Sequence, residues 1–299
     1  MVERTDSETL PASRAGSRYG HYLPRRLLGR RMAITLYALA LVTVVLTVVA
    51  GCRSSQPSAP PFGPAQVELP RSRPSWAIHN PQVRQVELPF SGLNSPSGVA
   101  VDTAGNVYIA DNLNNRVLKL GSGSATQVEL PFTGLKGPSG LAVDTAGNVY
   151  VTDGLSSVFE LPAGSTKQVK LPFADIAGLN SPEGVAVDRA GNVYITDYYT
   201  KRVLKLPAAS STPVELPFTG MTAPWGVAVG SGGNIYVTNA EMTTNASNNG
   251  VFHLPAGSNT PVKLPFTGLK RPVAVAVDAA GNVYAADYYA NRVLKLPSG

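Results

Sequence analysis

The chain has one cysteine, three histidines and few charges. Only 15% of its 299 residues are Asp, Glu, Lys or Arg. A lone cysteine excludes an intramolecular disulfide, so packing alone must hold any fold together. The histidines, His21, His79 and His253, are far apart in the sequence, and no two occupy equivalent positions of a repeat. That argues against a histidine-based metal or acid–base centre. The formal charge of +6 is unevenly spread: residues 1–51 hold seven arginines against three acids, while the remainder has 18 basic and 16 acidic side chains. A nearly neutral main body with no basic patch argues against nucleic acid as a partner.

Hydrophobic residues make up 43% of the chain, enough for a folded core, and 29 glycines and 25 prolines imply many turns. The dominant pattern is a repeat. GVAVDTAGNVYIAD, GLAVDTAGNVYVTD, GVAVDRAGNVYITD, GVAVGSGGNIYVTN and VAVAVDAAGNVYAAD follow one another every forty-odd residues, with the turn residue at Asp102, Asp144, Asp188, Gly230 and Asp278. Repeats of this period made of short strands predict a β-propeller. In the first repeat, residues 99–101 and 107–110 read as apolar strands around a DTAGN turn. RVLKL (116–120) reads as a more exposed third strand and QVELPF (127–132) as a fourth.

The expectation is an all-β propeller of five four-stranded blades over 85–299. A QVELPF strand at 85–90 precedes the first repeat and the last repeat lacks one, so this N-terminal outer strand is expected to close the ring on the final blade. Residues 66–84 contain another QVELP and PSWAI, so the alternative is six blades, one of them truncated.

Upstream, Arg25, Arg26, Arg30 and Arg31 precede an unbroken apolar run at 32–51 that ends in Val-Ala-Gly before Cys52. This reads as an export signal with a lipobox, Cys52 being the lipidation site. The alternative is an uncleaved hydrophobic helix: twenty residues at a rise of about 1.5 Å cross a bilayer core. Either way, the cell membrane is a partner and residues 53–299 are expected on its extracytoplasmic face. The Ser- and Pro-rich stretch 52–65 reads as a tether.

Consecutive strands run in opposite directions, so the turns fall into two sets at opposite ends of the ring. The DTAGN-type turns are uniform, and their aspartates read as turn caps. The other end varies, as a recognition face does. It carries Asn112, Tyr198, Tyr199, Trp225, Arg271, Tyr288 and Tyr289, the candidate ligand-binding residues, and an insertion at 240–250. Tyrosines at turn tips suit binding because they combine contact area with a hydroxyl and few rotors. The pairs Asp111/Arg116, Asp197/Arg202 and Asp287/Arg292 read as ion pairs bracing the turns.

GVAVDxAGNVYIxDxxxxRVLKL resembles the NHL repeat, and GLxxPxGVAVDxAGNVYVTD is similar to the extracellular sensor domain of mycobacterial receptor-type serine/threonine kinases such as kinase D. The resemblance covers about 85–299 and implies a funnel-shaped propeller that binds on one face. No VAIK-, HRD- or DFG-like motif is present in this chain. The expectation is a non-catalytic sensor or binding module with no cofactor and no metal, recognising a cell-envelope protein, peptide or glycan. Some propellers that this chain resembles are enzymes. The alternative is therefore a metal-dependent lyase or lactonase-like hydrolase built on Asp111, Asp153, Asp197 and Asp287.

Overall fold

The computed structural model describes residues 86–175, 178–242 and 247–298. The expected signal or anchor at 1–51, Cys52 with the expected tether, and the segment 66–84 lie outside the described residues. Among the described residues no helix is long and apolar enough to cross a membrane.

Five antiparallel meanders follow one another. The first holds β1 (Pro96–Val101), β2 (Val107–Asp111), β3 (Arg116–Leu120) and β4 (Gln127–Glu129). The second holds β5 (Pro138–Val143), β6 (Val149–Asp153), β7 (Ser157–Leu161) and β8 (Val169–Lys170). The third comprises β9 (Pro182–Val187), β10 (Val193–Asp197), β11 (Arg202–Leu206) and β12 (Val214–Glu215). In the fourth are β13 (Pro224–Val229), β14 (Ile235–Asn239), β15 (Gly250–Leu254) and β16 (Val262–Lys263). The fifth has β17 (Pro272–Val277), β18 (Val283–Asp287) and β19 (Arg292–Leu296).

Both faces of a blade are apolar because each is covered by a neighbour. In blade 2, Val149 and Val151 pack against Tyr108 and Val117 of blade 1. Tyr150 and Val158, on the other face of blade 2, join Val185, Val193 and Ile195 of blade 3. Burying such side chains stabilises by roughly 1.5–3 kcal/mol each, which short strands lack when alone.

The inner strands β1, β5, β9, β13 and β17 touch in succession around the axis. Glycine makes this approach possible. A Cβ at Gly184 would sit 2.7 Å from the Trp225 carbonyl oxygen. At Gly98 and Gly140 it would meet the Ser139 and Glu183 carbonyls more closely still.

The outer strand expected at 85–90 is not formed among the described residues, and the fifth sheet has three strands. Val117, Val158, Val203 and Val251 are completely buried, yet the equivalent Val293 on β19 is 41% exposed. No packing like that between successive inner strands joins β17 to β1 among the described residues. Ala274 takes the place that Gly98, Gly140, Gly184 and Gly226 hold in the other blades, so β17 is the one inner strand without a glycine there. Residues 91–94 are held instead to blade 1, where Ser91 and the Gln127 amide exchange two hydrogen bonds (2.9 and 3.1 Å).

Candidate recognition face

The uniform end is built for turn closure. The carboxylate of Asp188 accepts hydrogen bonds from the Ala190 and Asn192 amides (both 2.9 Å), the Asn192 side chain (2.7 Å) and the Tyr194 hydroxyl (2.9 Å). Asp102, Asp144 and Asp278 repeat this pattern. Burial alone would raise the pKa of Asp188. The Asn192 side chain and amide, the Tyr194 hydroxyl and the Ala190 amide nonetheless hold it below the ordinary value. The tyrosine pays the converse penalty, with burial and the adjacent carboxylate pushing the Tyr194 phenol well up. Blade 4 has Gly230 in place of the aspartate; its Tyr236 instead stacks on His253, with centroids 4.7 Å apart and planes within 8°. Burial lowers the His253 pKa.

A cleft of about 420 Å³ opens at this end between blades 3, 4 and 5, lined by Asp188, Arg189, Gly230, Gly233 and Asp278 among others. It is larger than the axial hollow of about 90 Å³ lined by the inner-strand glycines and valines. Its size does not make it the better candidate, because both of its carboxylates are engaged within their own turns.

The variable end presents different chemistry. A second aspartate series, Asp111, Asp153, Asp197 and Asp287, is buried at the ends of the second strands. Asp111 accepts the Asn94 amide at 2.6 Å, Asp153 the Lys136 amide at 2.9 Å and Asp287 the Arg271 amide at 2.8 Å. Arg116, Arg202 and Arg292 pair with Asp111, Asp197 and Asp287 at 2.8, 3.8 and 3.4 Å. These carboxylates fasten the blade connections to the turns. Burial raises the pKa of Asp197 despite the Thr200 hydroxyl, the Asn180 amide and Arg202. Among the described residues, no cluster of three or more His, Cys, Asp or Glu could hold a metal ion.

Six of the seven candidate residues come together across blades 3, 4 and 5. Trp225 is the second residue of β13, Tyr198 and Tyr199 follow β10, Arg271 precedes β17 and Tyr288 and Tyr289 follow β18. Tyr198 meets Tyr199 at 5.0 Å and Trp225 at 5.2 Å, both edge-on. Tyr288 and Tyr289 are 5.3 Å apart. The Arg271 guanidinium carbon lies 5.2 Å from the Trp225 and Tyr288 centroids and 5.1 Å from that of Tyr289. Tyr198 and Tyr288 pack into an apolar cluster with Trp225, Ala240, Val273, Ala274 and Ala286. Tyr199 and Tyr289 instead stand 46% and 37% exposed. Burial raises the Tyr288 phenol pKa, although the charge of Arg271 partly opposes it.

Asn112 is not brought to this cluster. It is buried in blade 1, and its amide donates to the Pro138 carbonyl at 2.9 Å, which ties two blades together. Two details of residues already placed at this end were not legible in the sequence. The insertion after β14 reaches the cluster through Met242, whose carbonyl accepts the Tyr289 hydroxyl at 3.3 Å. Arg271 is also buried rather than displayed. The signal for that burial was its place directly before Pro272, where the other blades carry small or neutral residues: Ser95, Gly137, Ser181 and Ala223.

Matches to the NHL repeat fall at residues 93–120 and 179–206. The serine/threonine-protein kinase PknD of Mycobacterium tuberculosis is 44% identical over 109 residues. That stretch covers 35% of this chain and 14% of the kinase, so only a small part of that relative's length is spanned. Among solved structures, virginiamycin B lyase from Staphylococcus aureus with quinupristin aligns with a TM-score of 0.57. Identity to it is 15%, over 71% of this chain and 70% of the lyase. A chain of the nidogen/laminin complex aligns with the same TM-score and 20% identity, over 68% of this chain and 76% of that chain. At these identities the structural likeness establishes the fold alone. The chain carries NHL repeats and folds as a β-propeller of five blades.

Proposed function

We propose that this protein is a membrane-tethered, extracytoplasmic recognition module whose variable end binds a cell-envelope protein, peptide or glycan. The observation that carries this reading is the aromatic cluster around Arg271, with the rings of Tyr199 and Tyr289 turned to solvent. Aromatic rings that remain at a protein surface are good anchors, offering area and a polar tip at small entropic cost. Sequence kinship with part of a mycobacterial receptor-type kinase supports a sensing role. The basic and apolar leader supports a location at the outer side of the cell membrane, anchored through Cys52 or through the apolar run itself.

The alternative, a metal-dependent lyase or lactonase-like hydrolase, draws on the propeller shared with virginiamycin B lyase. Its required aspartates are already engaged by backbone amides and arginines, which leaves them poorly disposed to bind a metal.

The test replaces only the exposed rings. A full chain carrying Tyr199→Ala and Tyr289→Ala should keep the parent's melting temperature and lose the partner captured by crosslinking in living cells. Undiminished capture of the same partner would remove the variable end as the binding face.

A further inference from the structure

Arg271 carries more than the aromatic cluster requires. Its side chain sits in a residue only 2% exposed, with three rings near its guanidinium. Its Nε and Nη2 are buried and donate to nothing among the described residues. The turn carboxylate of the same blade, Asp287, accepts the Arg271 backbone amide and is paired with Arg292. The three turn arginines each have an acid; Arg271 has none among the described residues. A buried guanidinium with no counter-charge is strongly destabilising, so its retention calls for a compensating occupant.

The free groups define that occupant. Nε–H and the adjacent Nη2–H lie on one edge of the guanidinium and point in parallel, a fork matched to two oxygens of one carboxylate. A phosphate dianion would bring a second negative charge into a site whose other near walls are aromatic. We propose that Arg271 anchors a carboxylate-bearing ligand, the acid group taking the Nε–Nη2 edge and the ligand body lying on Tyr289 and its neighbours. Tyr289 is the entrance. Its ring is partly exposed, and its hydroxyl holds the Met242 carbonyl at 3.3 Å, longer than a well-formed O–H···O bond. A ring so weakly tied can swing aside. This inference names the ligand chemistry of the face proposed above and rests on that reading.

Trp225 supplies the readout. The chain has two tryptophans, so a full-length Trp76→Phe protein reports on Trp225 alone. At constant ionic strength it is titrated with N-acetylglycine and its amide, and separately with glucuronate and glucose. A saturable change in Trp225 emission is expected with a carboxylate and not with its neutral counterpart. The stronger of the two acids tells a peptide terminus from an acidic sugar. Arg271→Met should abolish the response. Arg271→Lys, which keeps the charge and loses the fork, should weaken it about tenfold or more. A Trp225 that responds to neither acid, or a response retained in Arg271→Met, overturns the proposal. Partner capture that survives loss of Tyr199 and Tyr289, beside an intact acid response, would remove the variable end as the partner-binding face and leave the anchor standing.

Discussion

At the scale of single residues, one carboxylate does the work of a small network. Asp188 gathers four donors from three residues, one of them the phenol of a tyrosine buried between blades. Asp188→Ala leaves the Tyr194 hydroxyl and two turn amides without their acceptor, and should cost about 1–3 kcal/mol in urea unfolding. The pH dependence has a definite sign. The folded pKa values of Asp102, Asp188 and Asp278 lie below the ordinary value. The stability they add is therefore complete above the unfolded value of about 3.9 and is lost as pH falls through the lower folded values. Asp153 and Asp197, raised by burial, act in the opposite sense. Asp188→Asn should flatten the acid limb of the stability profile, and an unchanged slope would rule out this role. These turn aspartates were legible in the sequence because the residue and its DxAGN partners are contiguous. The isolation of Arg271 was not. It depends on three rings from two blades and on where neighbouring acids spend their hydrogen bonds, neither of which a local motif encodes.

At the scale of the strand, the contrast between Gly184 and Ala274 is informative. Both stand at the same position of an inner strand, yet only the glycine has a following strand pressed against it. Gly184→Ala should overpack the axis and cost about 1–3 kcal/mol. The reciprocal change, Ala274→Gly, removes no tight contact of that kind and should cost about 0.5–1 kcal/mol through added chain entropy. Equal losses for both, measured by thermal unfolding, would show that inner-strand spacing is uniform around the ring. PVAVAV against PSGVAV was visible in the sequence as a difference, but its meaning was not. The count of QVELPF segments argued for a fourth strand on the last blade, and only the backbone itself shows that residues 86–90 do not supply it.

At the scale of the molecule, the blades are alike in sequence but unequal in cover. β3, β7, β11 and β15 lie between two neighbours in their own sheet, while β19 is an edge strand with Val293 open to solvent. Regions with little apolar cover open at lower free energy than the rest of a fold. Hydrogen exchange should therefore release the amides of 292–296 before those of 202–206, although both segments read RVLKL. Identical protection of the two would mean that another element covers β19. The charges at Arg292 and Lys295 fit this position, since charged edge strands resist pairing with other chains.

The entry segment 91–94 has a mechanical consequence. Ser91 is clasped by the Gln127 amide, the Gly92 carbonyl takes the Asn114 and Arg116 side chains at 2.8 and 3.0 Å, and the Asn94 amide is held by Asp111. Tension arriving along the chain from its beginning would be borne there, shared among several bonds of one blade, before any strand is peeled. The first blade would thus act as a strain relief for the aromatic cluster carried by blades 3, 4 and 5.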